Sequence, residues 1–283
     1  MLITKIINNN VISSIDSQGR EVIITGRGIG FKRSVGDEIP QKLIERIYRM
    51  EDKEGQDKLK ELVSSIPLKH IQITDKLIKE FRKRLDCKLN DMILVTLADH
   101  ISFAIQRKEQ GLEFKNPMFK EIMEYYPKEF QLGIHALGEI ERELGVRLSD
   151  DEAAFIALHI ISSETGSDMS LIYKTTQLID NIVTLIEEYY NKRFDNKTEA
   201  FSRFMVHLRF FARKIFSGCI IPENNDKKSK KFFEIIETSC KKHYICAKHV
   251  AEYIKRRYNK QVSNEELVFL TIHLKRIELT ANC

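Results

Sequence analysis

The arrangement of apolar and polar residues changes near residue 55, and the part before this point has the pattern of a small β-sheet. Apolar, mostly β-branched residues occupy residues 11–15 and 21–25, and the turn-forming residues 16–19 separate them. Two such runs around a glycine-containing turn predict an antiparallel hairpin. The alternating residues 3–7 predict a further strand beside it.

Glycine is concentrated in the same segment, which holds six of the twelve glycines of the chain. The run from Gly26 to Gly30 allows a backbone with φ > 0. Residues 31–33 are then predicted to resume a strand, and residues 40–48 to form a short closing helix. A sheet of this size buries little surface by itself, so we expect it to gain stability by dimerising.

From about residue 60 the apolar residues recur at helical spacing, as in residues 77–85. Helical patterns continue to the C-terminus, with a predicted linker at residues 163–170 and a predicted solvated basic loop at residues 222–231. The expected fold is multidomain, with a small N-terminal antiparallel β-sheet domain followed by two tandem all-α helical-bundle domains. The predicted domains are residues 1–55, 66–168 and 170–283.

The helical part contains an internal repeat. Residues 149–160 resemble residues 263–274, because each copy starts with Ser and acidic residues, as helices do, and has a histidine ten residues later. Residues 99–107 likewise resemble residues 206–214, with apolar residues three and four positions after a histidine and a basic residue seven after it. These positions share a helical face. The duplicated histidines are His100, His159, His207 and His273.

A single histidine on an apolar helical face is most simply a core residue, and we interpret the four unduplicated histidines in this way. Duplicated positions indicate a function instead. Metal ligation is poorly supported, because Cys, Asp or Glu partners at ligand spacing are lacking. Phosphoryl acceptance fits better, since a neutral imidazole nitrogen is nucleophilic near pH 7. The added charge can then reorder a helix-packing surface.

Composition excludes several classes of protein. Hydrophobic residues make up 42% and charged residues 31% of the chain, which allows real cores and argues against disorder. No apolar run approaches the ~18 residues of a membrane helix, and no signal-peptide pattern opens the chain, so we expect no membrane insertion. The five cysteines do not resemble a disulfide framework, so the cytoplasm is the expected location.

The N-terminal segment carries residue types that bind nucleic acid. Residues 1–33 contain five Lys or Arg and two acidic residues, a net charge of +3, and basic groups on a sheet can contact phosphates. Asn side chains can pair with base edges, and Phe31 can stack on an unpaired base. A plain hairpin with Asn and Gly as turn residues is the alternative. Gly26-x-Gly28-x-Gly30 does not predict a nucleotide site, because it lacks a third glycine at dinucleotide spacing and no helix follows.

Together these motifs resemble the BglG-type transcriptional antiterminators, in the branch that serves β-glucoside or sucrose operons. The asparagines at residues 8–10, with residues 26–28 and Phe31, resemble the family's co-antiterminator RNA-binding domain. The two helical repeats resemble its paired phosphotransferase-system regulation domains. The resemblance implies an N-terminal dimer that binds a hairpin in nascent mRNA and prevents a terminator from forming. The implied RNA contacts are Lys5, Asn8, Asn10, Gly26, Arg27 and Phe31.

The resemblance also implies how the protein is regulated. A sugar-specific enzyme II would phosphorylate the first helical domain at His100 and His159 and switch the protein off. HPr would phosphorylate the second domain at His207 and His273 and switch it on. The expected protein is therefore a regulator without cofactor, metal or enzymatic activity.

Two other functions are alternatives. A hydrolase or metalloenzyme with a helical histidine site lacks a nucleophile–base or ligand motif. The cysteines and histidines of residues 240–249 recur every third position, which turns each side chain by about 300° on a helix, so they cannot all reach one metal ion. A DNA-binding activator with the same regulation domains would need an N-terminal helix-turn-helix. Because residues 1–35 predict strands, RNA is the expected partner.

Overall fold

The protein is represented by a computed structural model that describes residues 1–49, 53–85, 87–217 and 227–280. It divides into two compact units, Met1–Ser167 and Asp168–Cys283. The first unit contains a sheet followed by helices, and the second is helical. No described helix is long and apolar enough to cross a membrane.

A four-stranded antiparallel sheet opens the first unit, with its strands in sequence order. The strands are β1 (Ile3–Asn8), β2 (Val11–Ile15), β3 (Glu21–Thr25) and β4 (Arg46–Tyr48). The predicted hairpin is confirmed, since Val11 pairs with Thr25 and Ile15 with Glu21. Its turn contains Gly19 at a φ of 77°, a conformation that favours glycine.

Two predicted elements of this segment are wrong. Residues 31–33 do not form a strand, because the Phe31 amide donates to the Gly28 carbonyl at 3.1 Å and Lys32 has a φ of 53°. Residues 40–48 form one 3₁₀ turn, Gln41–Leu43, and then strand β4 instead of a helix. The strand forms there because it pairs with the edge that β3 would otherwise expose.

Six helices follow the sheet in the described part of the first unit. They are α1 (Lys53–Ser65), α2 (Leu68–Arg84), α3 (Ile93–Glu109), α4 (Phe119–Tyr125), α5 (Pro127–Leu144) and α6 (Asp150–Thr165). The apolar face predicted within residues 77–85 is buried at Leu77, Ile78 and Phe81. Helices α5 and α6 are followed directly by Gly145 and Gly166. Both glycines have a left-handed backbone conformation, which is common at the end of a helix.

The two faces of the sheet contribute to different cores. One face, with Ile12 and Ile24, forms a small core within the sheet segment. The other face, with Val11, Ile23 and Tyr48, joins the larger core built by the helices. Helix α1 adds polar contacts to this packing, because Lys60 Nζ lies 2.7 Å from Glu21 Oε2 and the Val63 carbonyl accepts from Asn8 of the sheet. The helices of the same chain therefore supply burial that the isolated sheet would lack.

The second unit contains α7 (Met169–Tyr190), α8 (Glu199–Ser217), α9 (Lys227–Ser239), α10 (Lys241–Tyr258) and α11 (Asn264–Thr280). The prediction of a loop at residues 222–231 is wrong from Lys227 onward, where α9 begins. Lysine is a good helix former, so a basic run does not by itself indicate a loop. The remainder of that prediction lies outside the described residues.

Helices α5 and α6 approach closely at Gly133. A Cβ atom there would lie 2.2 Å from the Ala153 carbonyl oxygen, whereas a Cβ at Gly138 on the same helix meets nothing within 4 Å. We expect Gly133→Ala to lower the free energy of unfolding by about 1–3 kcal/mol, because it forces the helices apart. Gly138→Ala should raise it by roughly 0.5–1 kcal/mol, because alanine loses less backbone entropy on folding. Urea denaturation of both variants tests this, and equal effects would contradict it.

Candidate nucleic-acid interface and paired-histidine sites

The glycine-rich loop of residues 26–31 rests on the turn between β1 and β2. The Gly26 amide donates to the Asn10 carbonyl at 3.0 Å, and the Gly30 amide donates to the Asn9 carbonyl at 3.0 Å. Between them, the Gly28 amide donates to Asn10 Oδ1 at 2.8 Å. The asparagine turn and the loop therefore form one backbone-linked surface.

Two of these positions require glycine because other backbone groups lie against them. A Cβ at Gly26 would lie 1.8 Å from the Leu43 carbonyl oxygen, and one at Gly30 would lie 2.5 Å from the Asn8 carbonyl oxygen. Real side chains do not tolerate such contacts with backbone. The glycines thus allow the loop to pack closely on the sheet, and they do not by themselves indicate a ligand.

The loop presents a cation and an aromatic ring to solvent. Arg27 is exposed and Phe31 is 56% exposed, with Lys32 Nζ 5.5 Å from the Phe31 ring. Lys5 is also exposed, on strand β1, where it pairs with Ser13. An exposed ring beside cations is the arrangement in which an unpaired base can stack while its phosphates are contacted.

The two predicted asparagines have partners within the protein. Asn8 Nδ2 donates to the Val63 carbonyl of α1 at 3.1 Å, and Asn8 Oδ1 accepts from the Asn10 amide at 2.8 Å. Asn10 Oδ1 is the acceptor that holds the loop at Gly28. The structure thus brings together five of the six predicted RNA contacts, with Lys5 further along β1, and gives both asparagines a part in building the surface.

Glu45 is a residue of this surface that the sequence did not single out. Its Oε1 accepts from the Arg27 amide at 3.2 Å, and its Oε2 accepts from Gln72 Nε2 of α2 at 2.9 Å. Glu45 therefore joins the exposed loop to the first helical domain. No local pattern identifies such a residue, because the three partners are distant in sequence.

In the first unit, helices α3 and α6 bring two of the duplicated histidines together. The ring centroids of His100 and His159 are 4.9 Å apart. Glu152 lies about two turns before His159 on α6. Its Oε2 is 3.0 Å from His100 Nε2. Asp99, the acidic residue next to His100 in the sequence, is exposed, and it is Glu152 that faces this ring.

Glu152 is also part of a buried ion pair. Its Oε1 lies 2.7 Å from Arg107 Nη2, and the two residues are 4% and 7% exposed. The guanidinium carbon of Arg107 lies 4.6 Å from the ring centroid of Phe103 and 4.5 Å from that of Phe114. Such contacts stabilise a cation over an aromatic face. The Arg107 guanidinium is therefore fixed by one carboxylate and two aromatic rings.

His159 is kept neutral by its surroundings. Burial, and secondarily the neighbouring His100, lower its pKa from 6.5 to about 3. Its Nδ1 is buried without a hydrogen-bond partner among the described residues. A neutral imidazole at physiological pH retains the lone pair that a nucleophile needs.

In the second unit, α8 and α11 repeat this arrangement. The ring centroids of His207 and His273 are 4.7 Å apart, and each ring also contacts Phe269. Burial, followed by His207 and Arg276, lowers the pKa of His273 from 6.5 to about 4. His207 is exposed, whereas His273 is 6% exposed. Each unit therefore holds one such pair of adjacent histidines.

The ion pair is repeated as well, between Lys214 and Glu266. Lys214 follows His207 by seven residues, as Arg107 follows His100, and Glu266 corresponds to Glu152. Glu152 and Glu266 are the last residues of a Ser-x-x-Glu motif, which is a helix-start pattern. The sequence analysis did not identify these glutamates as ion-pair partners, because a helix-start pattern already accounts for an acidic residue at this position.

The unduplicated histidines have other partners. His70 Nδ1 lies 3.1 Å from Ser102 Oγ, His135 Nε2 lies 2.6 Å from Glu80 Oε2, His243 Nδ1 lies 2.7 Å from the Tyr190 hydroxyl, and the His249 ring packs against Tyr189. Each therefore has a local structural role. In the part of the chain that the structure describes, no three His, Cys, Asp or Glu residues are grouped so as to hold a metal ion.

Comparison with known proteins follows this division of the chain. A family model described as the CAT RNA binding domain matches residues 1–57, and a model described as the PRD domain matches residues 75–163 and 180–277. The transcription antiterminator LicT of Bacillus subtilis is 35% identical over 98% of this chain and 99% of its own. The beta-glucoside operon antiterminator of Dickeya chrysanthemi is 32% identical over 98% of this chain and 96% of its own.

A solved structure agrees with these matches. The crystal structure of GlcT CAT-PRDI is 33% identical, with a TM-score of 0.50, and covers 58% of this chain and 98% of its own. An RNA-binding sheet followed by two PRD domains defines a regulator of transcription. The chain belongs to the BglG-type family of transcription antiterminators, which confirms the resemblance seen in its sequence.

The lowered pKa of His159 makes stability depend on pH. Because the pKa is about 3 in the folded protein and 6.5 in the unfolded chain, acid protonates the unfolded chain first. The free energy of unfolding should therefore fall by up to about 2 kcal/mol between about pH 7.5 and about pH 5 through this group. His159→Gln should remove that part of the change. Urea denaturation at both pH values tests this, and above about pH 7.5 the substitution should not alter the pH dependence.

Proposed function

We propose that this protein is an antiterminator that binds, as a homodimer in the cytoplasm, a hairpin in the leader of a sugar-operon mRNA. Binding keeps an overlapping terminator from forming, so that transcription continues. The observation that carries this proposal is the loop of residues 26–31, which Asn10 holds and which presents Arg27 and Phe31 to solvent. The role is regulatory, with no catalytic step by the protein.

Lys5, Asn8, Asn10, Gly26, Arg27 and Phe31 are the proposed RNA contacts. Cations at Lys5 and Arg27 neutralise phosphates, and Phe31 stacks on an unpaired base. Asn8 and Asn10 contribute the geometry of the surface, because both amide groups already bond within the protein. Strands in residues 1–49 also leave no place for the helix-turn-helix that a DNA-binding activator would need.

We expect Arg27→Ala and Phe31→Ala in the full chain to weaken binding to hairpin RNA with an asymmetric internal loop. The Phe31 change should cost about 1–3 kcal/mol, since it removes a stacking platform. The matched control is Arg20→Ala, an exposed arginine of the turn between β2 and β3 whose side chain pairs with Asp16 at 3.1 Å. Gel-shift titration at two salt concentrations measures this. Equal affinity for duplex DNA, or equal losses in all three variants, would contradict the proposal.

Regulation is proposed to act through phosphorylation of the histidine pairs. Enzyme II modifies His100 and His159 in the first regulation domain (residues 66–168), and HPr modifies His207 and His273 in the second (residues 170–283). Phe103 is 52% exposed and Phe210 is 62% exposed, each one turn after the first histidine of its pair. Exposed rings at duplicated positions favour homodimer contacts beside the histidines.

The two pairs are proposed to respond with opposite sign. Ser102 and Ser162 of the first domain occupy the positions of Arg209 and Arg276 in the second. A phosphoryl group in the second domain therefore meets additional cations, which bind it through charge-assisted hydrogen bonds and tighten the dimer. In the first domain serines stand at these two positions, so the new charge meets fewer cations and repels across the interface.

Under this proposal His100→Ala gives read-through without inducer, whereas His207→Ala and His273→Ala lose read-through. His249→Ala is the control, because this exposed histidine has no duplicated counterpart. A terminator–reporter fusion in cells with and without the sugar measures the outcome. Effects of one sign at all duplicated histidines would exclude the opposed response while leaving RNA binding intact.

A further inference from the structure

The two ring nitrogens of His100 have different surroundings. Nε2 is buried and lies 3.0 Å from Glu152 Oε2. Glu152 is itself 4% exposed, and its other oxygen is held by Arg107 at 2.7 Å. This approach is an ion-pair contact and not an aligned hydrogen bond, since neither atom has a hydrogen-bond partner among the described residues. A nitrogen lone pair 3.0 Å from a carboxylate oxygen would be repelled by it, so this nitrogen carries the proton. Nδ1 is then the nitrogen with the free lone pair.

We propose that Glu152 is a positioning residue that directs phosphorylation of His100 to Nδ1. The inference rests on the proposed function, in which His100 is a phosphoryl acceptor. The lone pair of Nδ1 attacks the phosphorus of a phosphorylated phosphotransferase-system protein, and an N–P bond forms. The bond between phosphorus and the donor's carrier atom breaks, and that atom takes the electron pair. The proton stays on Nε2.

Charge explains why a buried carboxylate helps this step. Attack through Nδ1 leaves the imidazole ring with a positive charge, because Nε2 keeps its proton. Glu152 lies directly against that charge, and Arg107 holds the other oxygen of the carboxylate in place. A carboxylate that fixes the tautomer of a histidine and stabilises its cation is a known device in other acceptor and base sites.

The other histidines of the duplicated sites provide contrasts. In His159 it is Nδ1 that is buried without a hydrogen-bond partner, and the described residues place no carboxylate within ion-pair distance of this ring, so the arrangement is specific to His100. In the second unit Glu266 pairs with Lys214, and the described residues place no carboxylate within ion-pair distance of His207. Duplication therefore preserved the ion pair, while only the first copy directs its carboxylate at a histidine.

The test uses the full chain with His159, His207 and His273 replaced by Ala, labelled with ¹⁵N-histidine and phosphorylated with potassium phosphoramidate. Coupling between ³¹P and ¹⁵N in NMR spectra identifies the modified nitrogen. The signal of His100 is the one that disappears after His100→Ala. We expect the product at Nδ1. Glu152→Gln should slow its formation by roughly tenfold, as expected for the loss of a group that orients a histidine, and allow product at Nε2.

Two further variants separate positioning from folding. Glu139→Gln changes another nearly buried carboxylate of the same domain, which pairs with Lys76 at 2.9 Å, and should leave rate and product unchanged. Arg107→Met with Glu152→Leu replaces both charges by apolar groups, so neither is left buried alone. This double variant should lose the selectivity for Nδ1 while keeping its helical circular dichroism spectrum.

Product at Nε2 in the parent protein, or an unchanged product and rate in Glu152→Gln and in the double variant, would overturn the inference. Either result would leave His100 as a phosphoryl acceptor. If His100 is not phosphorylated at all, the inference fails together with the phosphorylation step of the proposed function. A His100 product without selectivity for Nδ1 and the absence of any His100 product give different spectra. Failure of the inference alone can therefore be distinguished from failure of the proposed phosphorylation.

Discussion

An ion pair between the two histidine-bearing helices, buried in the first domain and half-buried in the second, is the interaction on which each regulation domain depends. Arg107 joins Glu152 in the first domain, and Lys214 joins Glu266 in the second. Removing two charges from water is costly, and the cost is recovered only in good geometry. A pair maintained in both copies therefore indicates a gain in specificity. It holds the helices in the one alignment that places two imidazoles side by side.

The sheet depends on the helices in a comparable way. Its face with Val11 and Ile23 is buried in the core that the helices build, while Asn8 and Glu45 bond to α1 and α2. Glu45 also accepts from the Arg27 amide of the loop, and Asn8 accepts from the amide of Asn10, whose side chain holds the loop at Gly28. The RNA-binding surface and the helices that follow it thus share these contacts. A movement of α1 or α2 would therefore alter the hydrogen bonds that hold the loop.

Several features could be predicted because they depend on local periodicity. The hairpin of β2 and β3 follows from alternation and turn residues, and the buried face of α2 from helical spacing. The predicted strand at residues 31–33 and the predicted closing helix failed for the opposite reason. A loop held by the Asn10 side chain and a fourth strand paired with β3 are both decided by partners that are distant in sequence.

The sequence by itself determined the family, the duplicated histidines and the basic and acidic residues that accompany them, because repeats and short motifs are visible in one dimension. Only the tertiary structure decided which of these residues meet. Arg107 and Glu152 are 45 residues apart, and their contact depends on how α3 packs on α6. The choice of Glu152 over the adjacent Asp99 as the neighbour of His100 has the same origin, since helix packing sets the direction of each side chain.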